Sequence, residues 1–463
     1  MRVDLYPPLC SAALLTKIAG GTLTTYGRPI SPRGVSIDSR QVRPGDLFAA
    51  LPGQKRRGSD FIPAALTAGA AAVLTDVLPQ KPPSDCAVIL VPDVAAALLK
   101  WAAYRRRLTG AYIIGVSGST GKTTAKEGLY HLLKTVGTVD CTTGNRNSSV
   151  GMPLSVLSFA ETDFWVVEIG ISHPGEMAPM AAALLPDLAV LTNVGRAHIG
   201  HFKDSAQLIA EKAALACSMQ KDGVLLVPDD LKPLLPPVPP QIVTLGANGD
   251  FTSSRAVHTA DGVTLTASGR GRVLRHLFWP LPGCIGAEQV LRLFAVGVLL
   301  GMNDENIRAG IAAAGENAPR LRRYAAGKRL LIDDAYNASP EATEAALETL
   351  HIMAGTRPSV AVLGDMLELG DFTVPLHERV GKAAAQSGVD QLWCCGQFAN
   401  KLANGARKAC FPTERIRCVE TVDAKELAEE LRQQTPPDAV ILFKASHAVG
   451  LFKVVEKMKN DDA

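Results

Sequence analysis

The sequence has 463 residues, which is enough for about three domains of ordinary size. Its 47% hydrophobic and 20% charged residues describe a globular chain, and its net charge of +3 does not indicate a nucleic acid partner. The longest apolar runs fall short of the roughly 18 residues that a membrane-spanning helix needs, and the first residues make a poor signal peptide, so we expect no membrane span.

The cysteines exclude two further classes of protein. There are nine of them, an odd number, and they are scattered along the chain without C-x-x-C spacing. This pattern indicates neither a disulfide framework nor a structural zinc site. We therefore expect the protein in the reducing cytoplasm.

The first hundred residues alternate short strand and helix signals, which predicts a small separate α/β domain over residues 1–108. An alanine-rich run at 61–73 predicts one helix, and 98–108 predicts a basic helix. Between the early signals stands Asp38-Ser-Arg40, which taken alone indicates a turn with solvated charges. Thr109-Gly110 is a plausible linker to the next domain.

A glycine-rich stretch at 115–124, G-V-S-G-S-T-G-K-T-T, dominates the second domain. It follows an apolar run and precedes a helical pattern, so the context is strand, loop, helix. Gly118 and Gly121 can take positive φ, which lets backbone N–H groups converge on an anion. Lys122 would offer a charge to the outer phosphates of a nucleotide, and the Thr123 hydroxyl would offer an oxygen to magnesium.

Two polar residues follow buried strands downstream of this loop. The apolar runs at 164–169, 188–191 and 224–227 suit a parallel sheet covered by helices, whose carboxyl ends meet at one edge. Glu168 closes the first run, and an acid there is more often a magnesium ligand than a stray charge. His198 follows the next run in N-V-G-R-A-H, and we weigh a metal-binding role evenly against a structural one.

Lys212 lies on the apolar face of a predicted helix over 206–217, three residues after Ile209 and three before Leu215. Its stem could simply extend along apolar surface to water, which spacing alone favours. Desolvation would instead lower its pKa and populate a neutral amine, which can add carbon dioxide to give an anionic, metal-binding carbamate.

A third unit begins near Arg320. Strand signals at 329–332, 359–363, 391–394 and 439–443 alternate with helical patterns such as 340–353 and 424–433. This predicts a second doubly wound α/β domain. The predicted fold class is therefore α/β with three domains: 1–108, a P-loop domain over 109–318 with a parallel sheet, and a Rossmann-like domain over 319–463.

These motifs together resemble the Mur ligase family over nearly the whole chain. The phosphate loop, G-N-R-N-S-S-V-G at 144–151, V-E-I-G-I-S-H-P-G at 167–175 and N-V-G-R-A-H at 193–198 look like its central domain. Two C-terminal signatures, I-D-D-A-Y-N-A-S-P at 332–340 and L-G-D-M-L-E-L-G at 363–370, look most like those of members that add D-alanyl-D-alanine to UDP-N-acetylmuramoyl-tripeptide.

The resemblance implies an ATP-dependent ligase of peptidoglycan precursor synthesis that works through an acyl phosphate. It implies magnesium bound by Thr123 and Glu168, a second ion bound by His198 and carbamylated Lys212, and catalytic roles for Lys122, His198, Lys212 and Arg320. The implied nucleotide contacts are Gly118, Ser119, Thr120, Gly121, Lys122, Thr123, Thr124, Asn145, Asn147, Gln289, Arg320 and Asp334. We expect a monomer with two small-molecule substrates.

The same resemblance makes the first domain a UDP-binding module. Ser36, Asp38, Ser39 and Arg40 would hold the uracil and diphosphate end of the substrate, which reverses the reading of that turn as merely solvated. In the third domain, Lys444 and Ser446 stand in K-A-S where the family has K-G-S, close to the incoming dipeptide.

Some positions depart from the family pattern. Ile285, Gly286 and Gln289 replace three polar residues of L-P-G-x-H-N-x-x-N, the last of which commonly reads adenine, and Gln289 could still make two amide hydrogen bonds. Two alternatives therefore stay open: a related ATP-dependent amide ligase with another acceptor, and a nucleotide-binding interaction protein with impaired catalysis.

Overall fold

The computed structural model of the protein describes residues 1–6, 9, 11–25, 30–53, 56–79, 86–318 and 320–460. Across these ranges the strands form three separate sheets, each covered by helices. The predicted α/β class is confirmed. In the same described ranges, no helix combines the length and the apolar character that a bilayer crossing requires.

The first sheet has strand order β1-β3-β4-β5-β6-β2 in the described part of the chain. Its elements are β1 (Arg2–Asp4), α1 (Ala12–Ala19), β2 (Thr22–Thr25), β3 (Gly34–Ser36), β4 (Leu47–Ala49), α2 (Ile62–Thr67), β5 (Ala72–Thr75), β6 (Ala87–Leu90) and α3 (Val94–Leu108). The alanine-rich run predicted as one helix is divided, because Gly69 at φ +95° ends α2 and the following residues form the buried strand β5.

The central sheet has the order β15-β14-β13-β12-β11-β10-β7-β9-β8 among the described residues. Its elements are β7 (Tyr112–Ser117), α4 (Lys122–Leu133), β8 (Val139–Cys141), α5 (Gly151–Ser158), β9 (Phe164–Glu168), α6 (Met177–Leu184), β10 (Leu188–Leu191), α7 (Ser205–Cys217), β11 (Val224–Pro228), β12 (Gln241–Leu245), β13 (Phe251–Thr259), β14 (Gly262–Gly269), β15 (Arg272–Trp279), α8 (Cys284–Leu299) and α9 (Asp304–Glu316). Strands β7, β8, β9, β10, β11 and β12 pair in parallel, whereas β13, β14 and β15 form an antiparallel extension.

The third sheet has the order β16-β17-β21-β18-β19-β20 in the described ranges. Its elements are β16 (Arg322–Ala326), β17 (Arg329–Asp334), α10 (Pro340–Ala354), β18 (Ser359–Gly364), α11 (Thr373–Gln386), β19 (Gln391–Cys395), α12 (Ala399–Lys408), β20 (Ile416–Val419), α13 (Ala424–Gln434), β21 (Val440–Lys444) and α14 (Leu451–Asn460). Only β16 of this sheet runs antiparallel to its described neighbour.

Helix α3 ties the first sheet to the central domain. Trp101 donates its ring N–H to the Leu15 carbonyl of α1, 2.7 Å away. On the other side, the fully buried Arg105 donates to the Phe159 carbonyl at 2.9 Å and lies over the rings of Tyr6 and Trp165. A buried guanidinium is stable only when such partners replace water, so this contact fixes the helix against both units. The predicted domain limits at 108/109 and 318/319 remain predictions.

Candidate functional site

The phosphate loop connects the buried strand β7 to helix α4, as the sequence predicts. Gly118 has φ +144° and Gly121 has φ +75°, and Gly121 caps α4 without any side-chain hydrogen bond. The first N–H groups of α4 are consequently open to a ligand, and the helix dipole adds partial positive charge there. This is the geometry of an anion-binding loop.

The segment after β10 holds this loop in place. Asn193 Oδ1 accepts from the Thr120 N–H at 2.9 Å while its Nδ2 donates to Thr120 Oγ1 at 2.6 Å. Thr192 Oγ1 donates to the Thr120 carbonyl at 2.5 Å, and Ser119 Oγ exchanges hydrogen bonds with the backbone of Gly195. A positioning role for Thr192, or for Asn193 at the start of the N-V-G-R-A-H signature, could not be predicted from the sequence.

We expect Gly118→Ala to weaken nucleotide binding strongly. A Cβ at this position would stand 1.9 Å from Thr192 Oγ1, and the positive φ is unfavourable for alanine. Relieving that contact must move the loop or the strand end, at a cost of about 1–3 kcal/mol. Titration of ATP by calorimetry measures the effect.

Gly110→Ala is the control for that change, because a Cβ there would have no atom of the described residues within 4 Å. Unchanged ATP affinity in both variants would contradict the assignment of the loop.

Two lysines converge on one carbonyl of the loop. Lys122 Nζ donates to the Gly118 oxygen at 2.8 Å, and Lys212 Nζ, from α7, donates to the same oxygen at 3.2 Å. Lys212 is only 1% exposed. Desolvation lowers the pKa of Lys212 well below its usual value and the neighbouring Lys122 charge lowers it further, which favours a neutral amine.

The pKa of Lys122 depends on a neighbouring carboxylate and on a neighbouring guanidinium. Desolvation lowers the pKa of Lys122, the Glu168 carboxylate opposes that shift, and the Arg320 guanidinium adds to it. The structure thus brings Lys122, Glu168, Lys212 and Arg320 into one electrostatic neighbourhood. It also stacks Arg320 on Tyr336, with the guanidinium carbon 4.0 Å from the ring centre.

Glu168 ends β9 as a buried carboxylate, 1% exposed. Its Oε1 accepts from Asn147 Nδ2 at 2.7 Å, whereas its Oε2 is buried without a hydrogen-bond partner in the structure. An uncompensated carboxylate oxygen is costly to bury, and a hard divalent cation is the partner that best satisfies it. Glu168 therefore fits magnesium, with the half-buried Thr123 hydroxyl at the start of α4 as a second oxygen ligand.

His198 lies at the boundary between the central and third domains. It adopts φ +63°, and its Nδ1 forms a short hydrogen bond with Glu368 Oε2, from the segment after β18. Desolvation lowers the pKa of His198, Glu368 opposes this, and the charges of Lys122 and Lys212 reinforce it. In the described residues no cluster of three or more His, Cys, Asp or Glu side chains forms a metal site.

Contacts beside His198 explain how the third domain docks there. The Gly200 N–H donates to the Glu368 carbonyl at 3.1 Å, and a Cβ at Gly200 would stand 2.4 Å from the Gly370 nitrogen. Nearby, the Arg196 N–H donates to Glu341 Oε2 at 3.1 Å. The same segment that holds the phosphate loop therefore also receives the third domain.

His377 supports residues 366–370, the docking segment, which follows β18 and meets His198 and Gly200. It should make the stability of the protein depend on pH. The ring is fully buried: Nε2 accepts from the Met366 N–H at 3.0 Å, and Nδ1 lies 2.6 Å from the Thr373 carbonyl, so the ring is neutral. Desolvation lowers the pKa of His377 in the folded chain, with the Thr373 carbonyl and Asp365 opposing. The unfolded chain then binds the proton first, and stability falls as pH drops below about 6.5.

When the pH is lowered from about 7.5 to about 5.5, the urea concentration at half-unfolding should decrease more for the wild type than for His377→Gln. The glutamine amide can still accept from the Met366 N–H but does not titrate. Equal acid losses in the two proteins would contradict this role for His377.

The remaining nucleotide candidates differ in exposure and in hydrogen bonding. Thr124 and Ser119 are buried, Asn145 is exposed, and the Asn147 backbone accepts from Gly170 at 2.8 Å. Gln289 on α8 is 2% exposed, its Nε2 would lie 3.8 Å from a Cβ at Gly121, and its Oε1 is buried without a partner in the structure. An amide oxygen left free beside the phosphate loop suits a ligand donor.

The third-domain candidates pair with each other. Lys444 Nζ, 2% exposed, donates to Asp334 Oδ2 at 2.5 Å and to the Asn337 carbonyl at 3.1 Å. Ser446 Oγ accepts from the Leu367 N–H at 3.0 Å, one residue before Glu368. Lys444 and Ser446 thus lie along the edge that contains the docking segment.

The first-domain candidates form a turn of their own. Ser36 is buried and donates to the Asp38 carbonyl at 2.8 Å, while Asp38 accepts from the Ser39–Gln41 turn and from the Arg40 side chain. Hydrogen bonds from Arg40 lower the pKa of Asp38 to about 2. Burial lowers the pKa of the Met1 amine; the charge of Asp38 opposes this shift, and the charges of Arg146 and Arg40 add to it.

Three family models match successive parts of the chain. The model described as "Mur ligase family, catalytic domain" matches residues 32–106, "Mur ligase middle domain" matches 116–285, and "Mur ligase, glutamate ligase domain" matches 319–447. Together they cover the phosphate loop, Glu168, His198, Lys212 and the docking segment.

Full-length relatives are also similar. A Bacillus subtilis UDP-N-acetylmuramoyl-tripeptide–D-alanyl-D-alanine ligase is 32% identical over 431 residues, which cover 92% of this chain and 93% of that protein. The crystal structure of MurF from Acinetobacter baumannii superposes with a TM-score of 0.88 at 25% identity, over 99% and 100% of the two chains. MurF ligase from Thermotoga maritima, solved with ADP, gives 0.80 at 27% identity, over 92% and 97%.

Proposed function

The chain belongs to the Mur ligase family, and on that premise we propose that it joins D-alanyl-D-alanine to UDP-N-acetylmuramoyl-tripeptide at the expense of ATP. The product is the UDP-linked pentapeptide used as a peptidoglycan precursor. The substrate assignment rests on the similarity, over 92% of this chain, to a UDP-N-acetylmuramoyl-tripeptide–D-alanyl-D-alanine ligase. The geometry of the phosphate loop and its two lysines supports the reaction class.

The first step is phosphoryl transfer. The terminal carboxylate of the tripeptide attacks the γ-phosphorus of ATP, the bond to ADP breaks, and an acyl phosphate forms. Lys122 and the first N–H groups of α4 would stabilise charge on the transferred group, because both belong to the loop whose geometry suits an anion. For this, Lys122 must leave the Gly118 carbonyl, to which it donates in the structure.

The second step forms the amide bond. The amine of D-alanyl-D-alanine attacks the acyl carbon, a tetrahedral intermediate forms, and phosphate leaves with the bonding electrons. Arg320, which opens the third domain and whose charge acts on Lys122, would contact the phosphates. Docking of the third domain at His198 and Gly200 would keep water from hydrolysing the acyl phosphate.

Magnesium belongs to the proposal on the evidence of Glu168. Its free Oε2 and the Thr123 hydroxyl would hold one ion, and His198 with a carbamate on Lys212 would hold a second. When bound, the ions would neutralise phosphate charge. The neutral amine that burial and Lys122 favour at Lys212 is the form that can add carbon dioxide.

Substrate ends are assigned by position. Ser36, Asp38, Ser39 and Arg40 would hold the uridine diphosphate end, because they lie in the part of the chain that matches the first of the three Mur ligase family models. Lys444 and Ser446 would receive the dipeptide near the docking segment, and Asp334 would contact the ribose. Gln289 would accept from the adenine amino group with its free oxygen.

We place the enzyme in the cytoplasm as a monomer. All cysteines in the described part of the chain are free thiols, which suits a reducing compartment.

Phosphate release by the purified protein tests the proposal. The assay contains ATP, magnesium and UDP-N-acetylmuramoyl-tripeptide, with and without D-alanyl-D-alanine, and the products are weighed by mass spectrometry. We expect the pentapeptide only when both UDP-N-acetylmuramoyl-tripeptide and D-alanyl-D-alanine are present. Turnover with another amine would identify a related amide ligase, and ATP binding without turnover on any pair would identify a binding protein.

A further inference from the structure

Two cysteines oppose each other on neighbouring strands of the third domain. Strands β19 and β20 pair in parallel, and their register aligns Cys394 with Cys418. Adjacent strands lie about 4.7–4.9 Å apart, and this spacing falls within the roughly 4.4–6.8 Å that separates the Cα atoms of a disulfide. Paired residues of a sheet also point to the same face. The Cα separation that this pairing implies therefore falls within the range that a disulfide spans.

The two thiols differ in environment. Cys394 is fully buried, whereas Cys418 is exposed on the last strand of the sheet. The neighbouring Cys394 thiol and the positive charge of Arg407 on α12 lower the pKa of Cys418 to about 6. The pKa of Cys394 is raised well above its usual value by the neighbouring Cys418 and by desolvation. Cys418 is thus the accessible thiolate and Cys394 its protonated neighbour.

The adjacent Cys395 cannot replace Cys394. Successive side chains of a strand point to opposite faces, and Cys395 is aligned with Val419 rather than with Cys418. Cys394 packs in the core that contains Leu392 and Ile416, whereas Cys395 packs in the core that contains Trp393. Specific pairing of Cys418 with Cys394 follows from this alternation.

We propose that Cys418 and Cys394 are a hydroperoxide-responsive thiol pair that closes into a disulfide between β19 and β20. The Cys418 thiolate attacks one peroxide oxygen, the O–O bond breaks, and a sulfenic acid forms as hydroxide or alkoxide leaves. The Cys394 sulfur then attacks the Cys418 sulfur, its proton leaves with the hydroxyl as water, and the S–S bond forms. The pair loses two electrons and the peroxide gains them.

Peptide mapping of the full chain tests this proposal. The protein is treated with limiting hydrogen peroxide, blocked with an alkylating reagent and digested with trypsin. Residues 383–401 carry Cys394 and Cys395, and residues 418–425 carry Cys418. We expect these two peptides to be joined with the loss of two hydrogens, in the wild type and equally in Cys395→Ser. A link that survives in Cys394→Ser or disappears in Cys395→Ser would overturn the assignment.

Trapping the intermediate gives a second readout. In Cys394→Ser, a cyclic 1,3-diketone should label the sulfenic acid at Cys418, whereas the wild type should show much less label because Cys394 consumes it. Cys217→Ser is the matched control, since Cys217 is another exposed thiol, on α7. Circular dichroism checks that each variant folds. Peroxide oxidation of Cys217 and Cys410 with Cys418 left reduced would refute the proposal.

Discussion

Replacing Glu168 with glutamine is expected to lower turnover by about 10²–10³-fold at the magnesium concentration that saturates the wild type. The amide keeps the hydrogen bond with Asn147, because Oε1 still accepts, so the strand end should be preserved. What changes is the buried Oε2, which becomes a neutral amide nitrogen and no longer binds a hard cation. Steady-state phosphate release over a range of magnesium concentrations measures both effects.

Magnesium dependence separates this role from a structural one. If Glu168 binds the ion, the variant should need more magnesium for half-maximal rate, and ATP should bind with reduced magnesium sensitivity in calorimetry. Glu316→Gln, on the exposed end of α9, is the control and should behave as the wild type does. A Glu168→Gln enzyme with a rate and magnesium curve like those of the control would remove Glu168 from the metal site.

Buried parallel strands were the easiest part of the fold to predict. The runs at 164–168, 188–191 and 359–364 are apolar on both faces, since helices cover both sides of their sheets, and continuous apolar runs identify such strands. β13 shows why others were missed. Its residues are mostly exposed and do not alternate in hydrophobicity, so backbone pairing with β14 forms the strand where the sequence gives no signal.

The residues of the candidate site also differ in how far their positions could be predicted from the sequence. Residues inside one motif, such as Lys122 and Glu168, could be predicted because a loop or a strand end fixes their place locally. Glu368 could not be predicted, since it meets His198 across 170 positions of sequence and only domain docking brings them together. The shared hydrogen bonding of Lys122 and Lys212 to Gly118 was equally impossible to predict. Spacing placed Lys212 on the apolar face of its helix, but the side chain is buried and does not extend to water as spacing alone favoured.

Replacing Lys212 with arginine is expected to lower turnover as much as Glu168→Gln does, by about 10²–10³-fold or more. Arginine keeps the positive charge and can still donate to the Gly118 carbonyl, so a merely structural lysine would tolerate the change in part. A guanidinium, however, stays protonated and cannot add carbon dioxide. Loss of activity in this variant therefore separates the carbamate from the ammonium.

Labelled bicarbonate supplies a readout that does not depend on turnover. Wild-type protein equilibrated with ¹³C-bicarbonate should show a carbamate carbon resonance, and Lys212→Arg should lack it. Lys203→Arg, at an exposed position near the start of α7, should retain both the resonance and the activity. Because desolvation and the Lys122 charge both favour the neutral amine, Lys212 is the lysine on which the label is expected. Wild-type protein that takes up no label, together with full activity in Lys212→Arg, would mean that Lys212 acts through its position alone.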